Sequence, residues 1–278
     1  MVAIIPARYS STRLPGKMLL PISGKPLILH TLEQVKRARN VDRVVVATDD
    51  ARIFDVIVAS GNEAVMTSPD HQSGSDRLAE VAKDLPEGSI VVNVQGDEPL
   101  ISPETIERAV DAMLGASTTP SAEAAVTPPI QGGRFGPDIV TVSEPITSHD
   151  DELVNFNVVK VVTNMEGRAL YFSRSPMPFP RDASNRHGGP REALEAEPEL
   201  FAIFRKHTGV YVYRREYLLK FTAMPQTKLE KIEMLEQLRA LENGAYIKVV
   251  DAASRSIGVD TEEDLERVKE ILDARVSS

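Results

Sequence analysis

Apolar positions along this chain alternate between two rhythms. Short runs of aliphatic and β-branched residues occur at 2–5, 44–48 and 90–94, and between them apolar residues recur every three or four positions. The runs predict strands. The intervening periods predict helices: 26–39 with Ile28, Leu32 and Val35 on one face, then a segment carrying Ile53, Val56 and Ile57 that Gly61 ends. A short strand at 64–66 precedes a helix marked by Leu78, Val81, Ala82 and Leu85. The run at 90–94 has no polar alternation, the signature of a strand buried on both faces inside a parallel sheet. This succession is βαβ, and the class is α/β.

The rhythm changes after a helix opened by Ser102 and Pro103. Residues 115–138 are rich in Ala, Thr, Ser, Pro and Gly and carry no period, which predicts a mobile surface insertion. Runs at 139–142, 158–163, 169–173 and 209–213 then crowd more strands together than a βαβ series supplies, so an antiparallel or mixed lobe is expected. The Pro- and Gly-rich stretch 176–198 reads as a loop with one short helix around 191–196. Thr227 and Glu230 have capping-box spacing for a helix that runs to 243 and stops at Gly244, and a strand at 247–250 follows. Thr261 and Asp264 repeat the box for a final helix with Leu265, Val268 and Leu272 as its stripe.

Composition narrows the partners. The 278 residues are 42% hydrophobic, ample for a core, and the formal net charge of -9 repels both a nucleic-acid duplex and an anionic membrane. A small ligand is expected instead. The chain has no apolar run of membrane-spanning length and no signal-peptide pattern at its start, which predicts a cytoplasmic protein. With no cysteine, disulfides and thiolate chemistry are excluded, and any metal must be held by oxygen or His.

Against that negative total, the first thirty-two residues contain Arg8, Arg13, Lys17 and Lys25 and no acid. Three of these cations lie in IPARYSSTRLPGK, a Pro/Gly/hydroxyl-rich loop directly after the first strand, where ligand crevices of open α/β sheets lie. One exposed cation is ordinary; their spacing, their position and the missing counter-charge together point to a polyphosphate. The loop lacks the GxGxxG spacing of dinucleotide enzymes, and Met18 stands where a P-loop needs Ser or Thr. Asp97, in GDEP at the end of the 90–94 strand, is good turn chemistry but sits at a crevice edge, which favours function. Asp260 has two readings, a helix-start acid or a second metal-ligating carboxylate beside Asp97, and taken alone the first is preferred.

Seven strings in order, IPARYSSTRLPGK, DHQSGSDRLAEV, VNVQGDEP, YFSR, HTGVY, EKIEMLEQLR and GVDTEEDLERV, resemble the 3-deoxy-manno-octulosonate cytidylyltransferase (CMP-Kdo synthetase) family over nearly the whole chain. The Pro-rich stretches depart from it. The resemblance implies a single nucleotide-diphospho-sugar transferase-like α/β domain with a mixed, mostly parallel sheet flanked by helices. Residues 1–114 and 214–278 would form its nucleotide-binding core and 139–213 a smaller sugar-binding and dimerisation lobe. It also implies transfer of CMP from CTP to the sugar acid Kdo for lipopolysaccharide synthesis, with magnesium required and a homodimer as the assembly.

Carried over residue by residue, the resemblance gives Arg8, Lys17 and Asp97 catalytic roles and Asp97 and Asp260 the magnesium. Arg8, Arg13, Lys17, Gln72, Ser73 and Arg77 would bind nucleotide, and Gln95, Arg174, His207, Tyr211, Glu233 and Gln237 the sugar acid. The last six also have ordinary roles open to them: a solvated histidine at 207, a strand core residue at 211, the polar face of an i, i+4 helix pair at 233 and 237. His71 borders the base-reading segment and is given no role. Two rival functions remain: a cytidylyltransferase for another sugar acid, such as an amino-Kdo analogue or neuraminate, and a catalytically silent nucleotide-binding protein.

Overall fold

A computed structural model describes residues 1–10, 13–115 and 136–276. Most of the expected insertion, residues 116–135, lies outside the described residues. Internal contacts divide the chain into two compact units, the first built from 1–114, 209–223 and 253–278, the second from 115–208 and 224–252. The expected division differs in its later part, since residues 224–252 group with the second unit and not with 1–114. The strand Arg205–Arg214 gives its first four residues to the second unit and its remainder to the first.

In the first unit Val2–Ala7 is the central strand. It pairs in parallel with Arg43–Thr48 on one side and Ile90–Val94 on the other, and Glu63–Met66 extends the parallel set beyond Arg43–Thr48. Residues 210–214 close the set, antiparallel to Ile90–Val94. Ile4, Ile5, Val45, Val46, Val91 and Val92 are wholly buried, which is why these segments read as unbroken apolar runs. The parallel strands all deliver their carboxyl ends to one edge, where Arg8, Asp49 and the Gln95–Asp97 turn begin. Helix Leu27–Lys36 ties itself to that edge, because Thr31 donates from Oγ1 to the carbonyl of Gly96 at 2.9 Å. Gly96 is needed there: a Cβ would stand 2.8 Å from Cδ1 of Ile28 and 3.1 Å from the carbonyl oxygen of Pro6.

The second unit is mixed, as expected. Ile247–Asp251 runs parallel to Ile139–Pro145, while Lys160–Thr163 and Ala169–Ser173 form an antiparallel pair. The stretch 176–198 holds more structure than the sequence predicts, with helices Arg181–His187 and Pro190–Ala196. Gly188 ends the first at φ 90° and Pro190 begins the second, so punctuation that reads as loop is a helix stop beside a helix start. Ala193 and Leu194 bury there, and Leu194 joins Ile146, Leu153 and Phe204 in a small core.

The expected helix from 227 to 243 is two helices, Lys228–Glu233 and Gln237–Glu242. Only half of its capping box forms: Thr227 N–H donates to Oε2 of Glu230 at 3.1 Å, while Oγ1 of Thr227 is buried without a hydrogen-bond partner among the described residues. Met234 breaks the run by adopting left-handed backbone at φ 53°. Glu233 and Gln237 are therefore not an i, i+4 pair on one helix. Sequence also missed the helix Arg215–Thr222. Among the described residues no helix is long and apolar enough to cross a membrane.

Candidate functional site

The site of the first unit is built where three loop segments meet. A turn of 3-10 helix at Lys17–Leu19 follows Gly16, whose φ of 71° lets the basic loop reverse. That reversal sends Lys17 inward, where it is 7% exposed. Its Nζ contacts Oδ2 of Asp97 and lies 2.9 Å from Oδ1 of Asp260 and 2.9 Å from the carbonyl oxygen of Val259. Arg13 reaches the other oxygen of Asp260 at 2.9 Å. The two aspartate segments are also joined through backbone, since Val259 N–H donates to the carbonyl of Asp97 at 2.8 Å. Residues separated by 163 positions thus share one ammonium, the arrangement that sequence alone left open for Asp260.

Burial is the largest single influence on Lys17 and pulls its pKa down, but Asp97 and Asp260 together outweigh it and hold the pKa above the ordinary lysine value. Lys17 is therefore cationic at neutral pH. A cation at this point has carboxylate oxygen on two sides, and two carboxylates with phosphate and water oxygens are the usual company of magnesium. The described residues hold no group of three or more His, Asp or Glu able to hold a metal by itself, so such an ion would need oxygens from the nucleotide.

Arg8 stands beside this cluster in sequence but takes a different partner, donating from Nη2 to the carbonyl of His71 at 3.0 Å. The segment expected to read the base is only partly open. Gln72 is exposed and its amide donates to the carbonyl of Asp70 at 3.0 Å. Ser73 caps the helix Gly74–Ala82 in a reciprocal box with Asp76. Arg77 is fully buried, with Nη2 2.7 Å from Asp49 and Nη1 bonded to Thr67, so its guanidinium anchors the loop from beneath. Asp49 was not singled out by sequence reading; its place one residue past a buried parallel strand was the available signal.

The residues expected to take the sugar acid fall in both units. In the first, Gln95 donates to Oδ1 of Asn93 at 3.2 Å and Tyr211 lies opposite Asn93 in the antiparallel register, its ring stacked on Tyr213 at 5.8 Å. In the second, Glu233 accepts from Oγ of Ser173 at 2.6 Å and from the backbone N–H of Arg174 at 2.9 Å. Arg174 donates in turn to the carbonyls of Glu233 at 2.7 Å, Phe156 at 2.9 Å and Met234 at 3.4 Å. A guanidinium has five N–H donors, so backbone carbonyls orient Arg174 without spending the whole fork or cancelling its charge. Gln237 is buried nearby in sequence.

His207 bonds through Nε2 to Oγ1 of Thr141 at 2.8 Å and meets the edge of Phe172 at 5.4 Å. Although the residue as a whole is only partly buried, desolvation of its ring lowers its pKa to about 4, so it is neutral at pH 7. Sequence reading also passed over Lys160, a cation inside the apolar run at 158–163. It is fully buried, with Nζ 2.9 Å from the carbonyl of Asn155 and 2.7 Å from that of Val158. Burial first, then the charge of Arg174, lower its pKa to about 8 against the opposing pull of Glu233.

Comparison with known proteins shows the family of the chain. The family model described as cytidylyltransferase matches residues 2–252. A 3-deoxy-manno-octulosonate cytidylyltransferase of Trichlorobacter lovleyi is 50% identical over 274 residues, covering 97% of each chain. One of Geobacter sulfurreducens is 50% identical over 276 residues, covering 98% of this chain and 99% of its own. Among solved structures, a CMP:2-keto-3-deoxy-manno-octonic acid synthetase complexed with CTP is similar, with TM-score 0.81, 37% identity and coverage of 99% of this chain and 98% of that one. The chain, with its cation-bridged aspartates at the edge of a parallel sheet, therefore belongs to the cytidylyltransferase family, among the 3-deoxy-manno-octulosonate cytidylyltransferases.

Proposed function

We propose that this protein transfers CMP from CTP to the anomeric hydroxyl of Kdo, releasing pyrophosphate, as a step toward lipopolysaccharide. The hydroxyl oxygen bonds to the α-phosphorus, the bond to the bridging oxygen breaks, and the hydroxyl proton leaves to solvent. The observation that carries this reading is Lys17 held between Asp97 and Asp260 in a chain 50% identical to relatives of that name. An anionic sugar acid must approach an anionic triphosphate, so the central task is to supply positive charge at the transferring phosphoryl. Arg8, Arg13 and Lys17 supply it. Asp97 and Asp260 would hold magnesium, which when bound polarises phosphate oxygens and lowers the pKa of the attacking hydroxyl.

In this reading Arg174 offers its remaining N–H groups to the sugar carboxylate, Glu233 fixes Arg174 through its backbone, and neutral His207, Gln95, Tyr211 and Gln237 supply hydrogen bonds to hydroxyls. The enzyme is read as a cytoplasmic homodimer. The support for the dimer is that Phe156, Met165, Leu170, Phe179, Ile232 and Met234, all in the second unit, leave large apolar side chains exposed.

The direct test is pyrophosphate release from CTP and magnesium with each of Kdo, an amino-Kdo analogue and neuraminate. Kdo is expected to turn over fastest. Rapid turnover of another acid beside inert Kdo would replace the substrate, and silence with all three in a protein that binds CTP would favour the non-catalytic reading.

A further inference from the structure

The loop at 67–73 bears on Arg8 through its backbone. Thr67 fixes the start of the loop by donating its N–H to the carbonyl of Thr48 at 2.8 Å, and the Ser73 cap fixes its end. Between those ends the local bonds are few: Asp70 N–H to Oγ of Ser68 at 3.2 Å and the Gln72 amide to the carbonyl of Asp70 at 3.0 Å. One side chain from outside the loop joins its two halves. Glu80, on the helix Gly74–Ala82, accepts the N–H of Ser68 at 3.0 Å and pairs with Nε2 of His71, both through Oε2. The carbonyl of that same His71 receives the guanidinium of Arg8.

The choice of a carbonyl as partner has an electrostatic consequence. Arg13 and Lys17 are paired with carboxylates, whereas among the described residues Arg8 is in no ion pair. A carbonyl dipole orients the guanidinium and leaves its full charge for an incoming phosphate.

We infer that Glu80 and His71 are positioning residues, which hold the loop so that the His71 carbonyl aims the unneutralised guanidinium of Arg8 at the nucleotide. This rests on the proposed reading of Arg8 as a phosphate ligand and adds to it a link between the base-side loop and the phosphate-side cation. Neither residue needs to touch the substrate.

A double-mutant cycle on CTP affinity, measured by calorimetry without sugar acid, tests the link. Glu80→Ala is expected to weaken CTP binding about tenfold in the wild-type background and less than about twofold when Arg8→Ala is already present, because the two act through one contact. A purely structural role for Glu80 would give the same loss in both backgrounds, and that result, or no loss in the wild-type background, overturns the inference. Glu80→Gln still accepts from Ser68 but lacks the charge, and it carries the same cycle should the alanine variant not fold. An Arg8→Ala enzyme that binds and turns over CTP as the wild type does would remove the phosphate role of Arg8 itself. A clear Arg8→Ala loss with an undiminished Glu80→Ala loss would leave that role standing and remove only the link.

Discussion

Lys17 condenses the problem of the site into one atom. Its Nζ satisfies two aspartates and a backbone carbonyl, and in the proposed reaction the same charge serves the triphosphate. Replacing it with alanine removes a transition-state charge donor and leaves Asp97 and Asp260 with less compensation. Lys17→Ala is expected to lower turnover by about a hundredfold or more, read as pyrophosphate release by a variant whose circular dichroism matches wild type. An unchanged rate would end the role assigned to it. The cations of the first loop stand out in sequence because charge without neighbouring counter-charge, placed after a buried strand, is unusual, and Asp97 stands out because it lies at the carboxyl end of another buried strand. Asp260 was legible only through family resemblance, since a helix-start acid looks the same whether or not a lysine 243 positions away reaches it. Lys160 and Glu80 were not legible at all, because burial and partners are properties of the folded chain.

At the scale of elements, the strands held to their predicted places wherever the apolar run was continuous, as at Ile90–Val94 and Ala169–Ser173. The failures were breaks and starts. The segment from Thr227 has a helical pattern and the N–H of Thr227 bonded to Glu230, yet the chain turns at Met234, a residue with no local signature for left-handed backbone. The turn carries Glu233 to Ser173 and Arg174, so tertiary bonding prevailed over helix propensity. A branched side chain at Met234 is therefore expected to be costly where glycine is not. Met234→Val should lower the unfolding free energy by about 1–2 kcal/mol relative to Met234→Gly in urea titrations. Equal midpoints would mean that the left-handed turn is not retained in solution.

At the scale of the whole molecule, charge and apolar exposure distribute unevenly. The net charge of -9 coexists with a basic, acid-free opening segment, which fits a protein that repels polyanions in general and admits one at a chosen loop. The exposed apolar side chains gather in the second unit, and a dimer formed there would cover them. Leu170 is 60% exposed on the strand Ala169–Ser173, so Leu170→Glu should leave the protomer folded and shift sedimentation toward monomer; a wild-type protein that sediments as a monomer throughout the micromolar range would remove the dimer. The sequence by itself determined the α/β class, the succession of its strands along the chain and a basic, acid-free loop after the first of them, because apolar period, turn chemistry and local charge are written in neighbouring residues. Only the tertiary structure decided that Asp260 joins Asp97, that Arg77 and Lys160 are buried and that residues 224–252 leave the core expected for them. Those outcomes depend on contacts between distant segments, which packing selects and no local pattern encodes.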